Sequence, residues 1–168
     1  MQNILFLQKR VGKNGKVFTM YKIRTMYIGA EKDQKKYEKL NEADNPVFKI
    51  YDDPRFIGIG KFLAHTGLDE LPQIINVLKG EMAFVGPRPL PVNEAKKLKK
   101  WQKEREKVLP GIVSPWVING MHKMSFDSWM KSDLEYIKKK KLFYDLSIII
   151  RSVIFIFRLI INRITDKI

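Results

Sequence analysis

Leu68-Asp69-Glu70-Leu71-Pro72-Gln73-Ile74-Ile75-Asn76-Val77-Leu78-Lys79-Gly80, continued by Glu81-Met82-Ala83-Phe84-Val85-Gly86-Pro87-Arg88-Pro89, is the stretch around which the rest of the chain arranges itself. Leu68, Leu71, Ile75 and Leu78 recur at helical spacing and Gly80 follows as a stop, which predicts a helix over residues 69–79. Thr66 and Asp69 stand in the Ser/Thr-x-x-acid relation of a helix start, although a capping box prefers Glu or Gln at its last position. Pro72 fits only in the first turn, where its missing N–H is no loss. Asp69 and Glu70 then point off the apolar stripe, at the end where free N–H groups and the positive pole of the helix dipole favour negative charge. Two carboxylates in one turn can hold a divalent cation, or one can act as a nucleophile while the other assists; equally, they can do no more than complement the dipole. With an arginine between two prolines shortly after the helix, the combination points to phosphoryl chemistry. Taken alone, Arg88 also fits the solvated tip of a proline turn.

The chain has 168 residues, enough for one domain with a modest core. Lysine and arginine total 32 against 18 acids, a net charge of +14, so an acidic partner is expected: nucleic acid, a phosphorylated substrate or an anionic membrane. No nucleic-acid motif accompanies the charge, and nucleic acid is set aside. The absence of cysteine excludes disulfides, thiolate catalysis and cysteine metal sites. His65 and His122 lie in no metal-ligand spacing, and no signal peptide is recognisable ahead of the first basic segment.

Residues 4–11 and 17–24 read as two strands joined by a turn at Asn14-Gly15. Alternation puts Phe18, Met20, Lys22 and Arg24 on one face, where the two cations suit a diphosphate or simply form a solvated basic edge. Residues 30–44 read as a polar, partly helical, exposed insertion. Residues 93–108 predict a helix capped by Asn93, with Ala95, Leu98, Trp101, Arg105 and Val108 on one face and six lysines on the other. Residues 142–164 are the most apolar part, but Asp145, Arg151, Arg158 and Arg163 interrupt them and no uncharged run approaches the ~18 residues a membrane span needs. Arg151, Arg158, Asn162 and Thr165 cluster on the helical wheel, away from Ile149, Val153, Ile156, Phe157 and Ile160. This pattern fits a helix lying in a membrane interface, anchored by Lys138 to Lys141, or one packed on its own domain or a second subunit. The expected architecture is a single α/β (α+β) domain, residues 1–146 forming the main body and 147–168 the amphipathic C-terminal helix.

The segment from Leu68 to Pro89 resembles the signature of the bacterial sugar transferases, the monotopic phosphoglycosyltransferases of cell-surface glycan assembly. Further pieces resemble that family in order: Gln8 to Phe18 its opening hairpin; Tyr21-Lys22-Ile23-Arg24-Thr25-Met26 its Tyr-Lys-Phe-Arg-Thr-Met strand; Asp53-Pro54-Arg55 with Gly60-Lys61-Phe62-Leu63 its approach to the acidic pair; and Pro110-Gly111-Ile112, Asn119-Gly120 and Asp133-Leu134-Glu135-Tyr136-Ile137 its downstream elements. The resemblance implies a reaction between a UDP-sugar and undecaprenyl (polyprenyl) phosphate at the cytoplasmic face of a bacterial membrane, with Mg2+ and release of UMP. It implies Asp69 as nucleophile, Glu70 as its partner in metal binding or proton handling, and Lys22, Arg24 and Arg88 as phosphate-stabilising cations. Asp133 matches an acidic family position, serving either the active site or a basic neighbour.

Three departures accompany the match. Members begin with a hydrophobic helix that dips into the bilayer, whereas Met1 stands almost at the hairpin, so a chain without that anchor is expected. Ala64 and Gly67 replace an arginine and a serine that usually precede the nucleophile, and Val117 and Met121 replace a glutamine and an arginine downstream. An active transferase and an impaired relative that pairs with a complete transferase, or with itself, as a scaffold therefore both remain open.

Overall fold

The computed structural model describes residues 4–115 and 124–165, with side chains as far as residue 161. Asn14 adopts φ 55° and ψ 30° and Gly15 φ 76°, the left-handed pair that a tight hairpin turn requires. The turn joins β1 (Leu5–Val11) to β2 (Val17–Ile23) in antiparallel register, with Leu5 opposite Ile23 and Val11 opposite Val17. β1 also pairs with the short β4 (Leu90–Pro91), giving the order β2-β1-β4 and leaving β2 at an edge. A second sheet pairs β3 (Ala83–Val85) in parallel with β5 (Gly111–Val113). The crossing after β3 is tight: a Cβ on Gly111 would lie 2.0 Å from the Gly86 nitrogen, so only glycine lets the two chains meet just before Pro87.

The helix predicted over residues 69–79 is built in two pieces, preceded by a separate short helix. α1 (Gly60–Thr66) ends at Gly67 with φ 75°; a 3-10 turn follows over Leu68–Gln73; and α2 (Ile74–Leu78) completes it. Thr66 does not cap the segment, because its hydroxyl donates back to the carbonyls of Phe62 and Leu63. The left-handed Gly67 redirects the chain and its carbonyl receives the Glu70 N–H at 3.0 Å. Pro72 sits inside the 3-10 turn, near the segment's start, as its missing N–H demands.

The apolar stripe of this segment does not face the core. Leu71 is 63% and Leu78 83% exposed, whereas Asp69, Gln73 and Asn76 are 5%, 1% and 0% exposed. The polar side of the helix is its inner side, because β2 meets it with an unpaired strand edge and a lysine, while Val77 alone of its residues reaches the cluster of Phe18, Met20 and Met82.

Residues 93–108 also differ from the expected single helix. α3 (Val92–Ala95) is one turn, Asn93 makes no cap, and a 3-10 turn at Gln102–Lys107 follows an interruption. Gln102 explains the break: its Oε1 accepts the Lys99 N–H at 2.8 Å, a local side-chain bond that competes with the helix, while its Nε2 donates to Asp127. The predicted inner face nevertheless holds, with Ala95, Leu98 and Arg105 buried and the lysines outside. The insertion is exposed and mostly a 3-10 helix, Lys32–Leu40.

α4 (Phe126–Lys139) is capped by Ser125, whose side chain accepts the Ser128 N–H. Its Met130 joins Leu90, Ala95, Leu98 and Phe126 in one core cluster. α5 (Leu142–Thr165) packs Ile148 against Val85 and Tyr136, and the Tyr136 hydroxyl donates to the Val85 carbonyl or to Asp145, both within 3.0 Å. One strip of α5 thus rests on its own domain. Phe143, Leu146, Ile150, Val153 and Phe157 face outward beside Arg151 and Arg158. Among the described residues no helix is long and apolar enough to cross a membrane. The motif Asn119-Gly120 and the replacements Val117 and Met121 lie outside the described residues, as does His122.

Candidate active site

β2 brings Lys22 to the acidic pair. Having placed Phe18 and Met20 in the core, the same strand face presents Lys22 Nζ 3.2 Å from Asp69 Oδ2 and 2.6 Å from Glu70 Oε1. Arg88 completes the cluster with a fork on Glu70, Nη1 donating to Oε2 at 3.1 Å and Nη2 to Oε1 at 2.6 Å. Four residues from three separate segments thus form one ion-paired group, and the solvated alternatives for Lys22 and Arg88 do not describe it.

The two carboxyls are pushed in opposite directions. Burial and then the negative charge of Glu70 raise Asp69 above the usual aspartate value, against the pull of Lys22. Burial also acts upward on Glu70, but Arg88 and Lys22 together overcome it and hold the group well below the ordinary range. Glu70 is therefore a permanent anion that fixes two cations, while Asp69 is the more basic and less engaged of the pair. Such divergence between neighbouring carboxyls is a mark of acid, base or nucleophile assignments.

Arg88 owes its position to its backbone. Prolines on both sides remove two N–H donors, and three successive carbonyls are each held: Pro87 by the Gly111 N–H at 3.0 Å, Arg88 by Arg105 at 2.7 Å and Pro89 by Arg10 at 2.9 Å. Arg105 is buried and anchored in turn by Asp133, whose Oδ2 accepts from Nε at 2.9 Å and forms an ion pair with Nη2 at 2.6 Å. Asp133 therefore stands behind the Pro87–Pro89 segment, holding a basic neighbour. Arg24 lies over the Phe6 ring, 5.5 Å from its centre, with Nη2 3.4 Å from the Leu5 carbonyl.

Four charged side chains beyond the candidate site residues neighbour this cluster. Arg10, Lys49 and Glu94 belong to its electrostatics, and Arg105 to its scaffolding. Burial and then Arg88 lower the Arg10 guanidinium to about 10. Lys49 is lowered to about 8 by burial and then by Arg88, with Glu70 and Lys22 also acting on it. Burial raises Glu94, while Arg10 and Arg88 pull it back. Arg105 alone carried a signal, as a cation on an otherwise apolar face; such a residue needs a buried acid.

Two cations thus bracket a buried acidic pair at the open edge of β2 in a small α/β domain. A sequence profile of the bacterial sugar transferases matches residues 1–159, and the chain belongs to that family. A galactosyl transferase, CpsE, of Streptococcus agalactiae is 43% identical over 147 residues, covering 87% of this chain and 33% of the relative. An undecaprenyl-phosphate galactose phosphotransferase of Salmonella typhimurium is 34% identical over 161 residues, 88% of this chain and 32% of its own length. The exopolysaccharide production protein ExoY of Sinorhizobium fredii is 31% identical over 155 residues, 90% of this chain and 69% of its own. The chain thus spans about a third of the length of the first two relatives.

Proposed function

We propose that this chain transfers a sugar 1-phosphate from a UDP-sugar to undecaprenyl or another polyprenyl phosphate, releasing UMP, through a phosphosugar-aspartate on Asp69. The observation that carries the reading is the acidic pair, with Asp69 raised and Glu70 lowered, packed against Lys22 and forked by Arg88. In the first step an Asp69 carboxylate oxygen bonds to the sugar-bearing phosphorus and the bond to the UMP oxygen breaks, UMP leaving with that electron pair. In the second, a phosphate oxygen of the lipid attacks the same phosphorus and Asp69 departs as a carboxylate. Lys22 and Arg88, with Arg24 at the strand end, stabilise the phosphoryl oxygens, and Glu70 keeps the first two aimed.

Asp69 and Glu70 suit Mg2+ by their chemistry. They are hard oxygen donors, and this ion commonly takes one or two carboxylates and completes its shell with water and substrate phosphates. When bound, Mg2+ supplies neutralisation of the phosphate charge. The relatives' names, which include transfer to undecaprenyl phosphate and exopolysaccharide production, support the substrate classes and a role in glycan assembly.

The test is UMP release from a panel of UDP-sugars with Mg2+ and undecaprenyl phosphate in nanodiscs. Release from one donor is the expected result and names the sugar; no release from any donor overturns the reading in favour of a scaffold that serves a complete transferase.

The outward apolar residues of α5, with Arg151, Arg158 and the exposed Leu71, Ile74 and Leu78 beside the acidic pair, support seating on an anionic membrane surface at its cytoplasmic face. Each basic residue near such a surface contributes about 1 kcal/mol, so Arg151→Glu with Arg158→Glu is expected to weaken co-sedimentation with anionic liposomes by at least about tenfold. Unchanged co-sedimentation would mean that α5 binds protein rather than lipid.

A further inference from the structure

β2 is an edge strand, and the groups on its open side point where a neighbouring strand would lie. Among the described residues no strand lies there; one side chain takes its place. Asn76 Oδ1 accepts the Tyr21 N–H at 3.2 Å and Asn76 Nδ2 donates to the Thr19 carbonyl at 2.7 Å. A single amide thereby serves residues 19 and 21 of β2 as a paired strand residue would, joining one N–H and one C=O two residues apart. The second Nδ2 hydrogen goes to Glu81 Oε2 at 2.8 Å, and the Asn76 main-chain oxygen receives the Glu81 and Met82 N–H groups at 2.9 and 3.2 Å. Asn76 is wholly buried, and it is the point at which the helix, β2 and the chain leading into β3 are tied together.

The tie matters because of what stands beside each end. Lys22 follows Tyr21 on the strand, and the 3-10 turn carrying Asp69 and Glu70 runs directly into α2, which carries Asn76. The Lys22 contacts with both carboxylates span these two elements. We infer that Asn76 is a positioning residue: its amide sets the separation of β2 from the dyad helix and so places the Lys22 ammonium between Asp69 and Glu70. Among uncharged side chains only a carboxamide meets the demand, which is one acceptor for an N–H and two donors for a carbonyl and a carboxylate, and glutamine would force an extra methylene into a wholly buried position. Leucine has the shape without the bonds, and aspartate would set a second anion against Thr19 O and Glu81.

The inference rests on the transferase reading only for its functional consequence, and the first readout is free of activity. Per-residue lysine acetylation, followed by mass spectrometry, is compared in the full chain and in Asn76→Ala. In the unmodified chain Lys22, only 14% exposed at its side chain and held by two carboxylates, is expected to react slowly beside the exposed Lys96. In Asn76→Ala its rate should rise by about tenfold or more while Lys96 is unchanged. Leu98→Ala, in the core cluster with Leu90 and Met130, supplies a loss of stability with Asn76 intact, and there Lys22 should stay protected. A folded Asn76→Ala chain with Lys22 still protected, or equal deprotection in Leu98→Ala, overturns the inference. Should Asn76→Ala fail to fold, Asn76→Asp with Glu81→Gln, which returns a donor to the carboxylate contact but leaves the Thr19 carbonyl unserved, is judged by the same criterion.

The second readout is a double-mutant cycle on kcat/KM for UMP release. If Asn76 acts through Lys22, Asn76→Ala should cost at least tenfold alone and less than twofold in a Lys22→Met background; additive losses overturn the inference. A chain that releases no UMP at all overturns the transferase reading instead and leaves the acetylation result to decide the positioning role.

Discussion

Asp69→Asn is expected to lower UMP release by at least about 10³-fold while leaving the thermal midpoint unchanged or slightly raised. An amide oxygen cannot form the phosphosugar ester, and Lys22, Arg88 and Glu70 alone supply charge stabilisation without a nucleophile. The stability half of the expectation follows from the direction of the shift. A carboxyl whose folded value lies above its unfolded value binds its proton more readily in the fold, so it costs stability once pH has risen through the folded value. Replacing it with a neutral amide of the same shape removes that cost. Glu70 is the opposite case. Its ionised form is favoured in the fold, and its contribution is present above the unfolded glutamate value and lost only as pH falls through the lower folded one. Stability and turnover should therefore part company at Asp69, as expected where a group is held for chemistry rather than for folding. Turnover assayed beside calorimetry checks both halves, and retained activity in Asp69→Asn would sink the covalent mechanism.

Much of this site is legible in the sequence, for identifiable reasons. The hairpin register and the shared face of Phe18, Met20 and Lys22 follow from strand alternation and one Asn-Gly turn, both local properties. The dyad segment was recognisable as helical, yet its inner side was not. Periodicity shows that Leu68, Leu71, Ile75 and Leu78 share a side, but which side meets the domain depends on the partner, here a strand edge satisfied by Asn76. Helix continuity over residues 93–108 failed for a related reason: the Gln102 amide finds Lys99 and Asp127, and the second partner is 25 residues away. Lys49 had no legible signal, since only folding brings its loop beside Arg88 and Lys22.

Asp133→Asn is the other substitution with a large expected effect, and it acts on the fold first. Asp133 and Arg105 are both buried and joined at 2.6 Å, so removing the acid leaves a guanidinium in the interior without its counter-charge. Breaking a buried pair from one side costs about 3–5 kcal/mol, a large part of the roughly 5–15 kcal/mol that holds a domain together. At about 2–4 °C per kcal/mol for a domain of this size, the thermal midpoint should fall by roughly 6–20 °C. The pair itself is expensive: burial raises Asp133 to about 6 even though Arg105 opposes the shift. Replacing both partners at once, Asp133→Leu with Arg105→Met, should therefore recover most of the lost stability, since an apolar pair of similar volume carries no desolvation cost. Turnover should not recover with it. Arg105 also holds the Arg88 carbonyl at 2.7 Å, a bond that methionine cannot make, so the fork on Glu70 would lose its fixed base. Calorimetry and UMP release on the single and double variants separate the two roles. A double variant restored in both would show that Asp133 and Arg105 do not position Arg88, and a single variant of undiminished stability would show that the buried charge finds another partner.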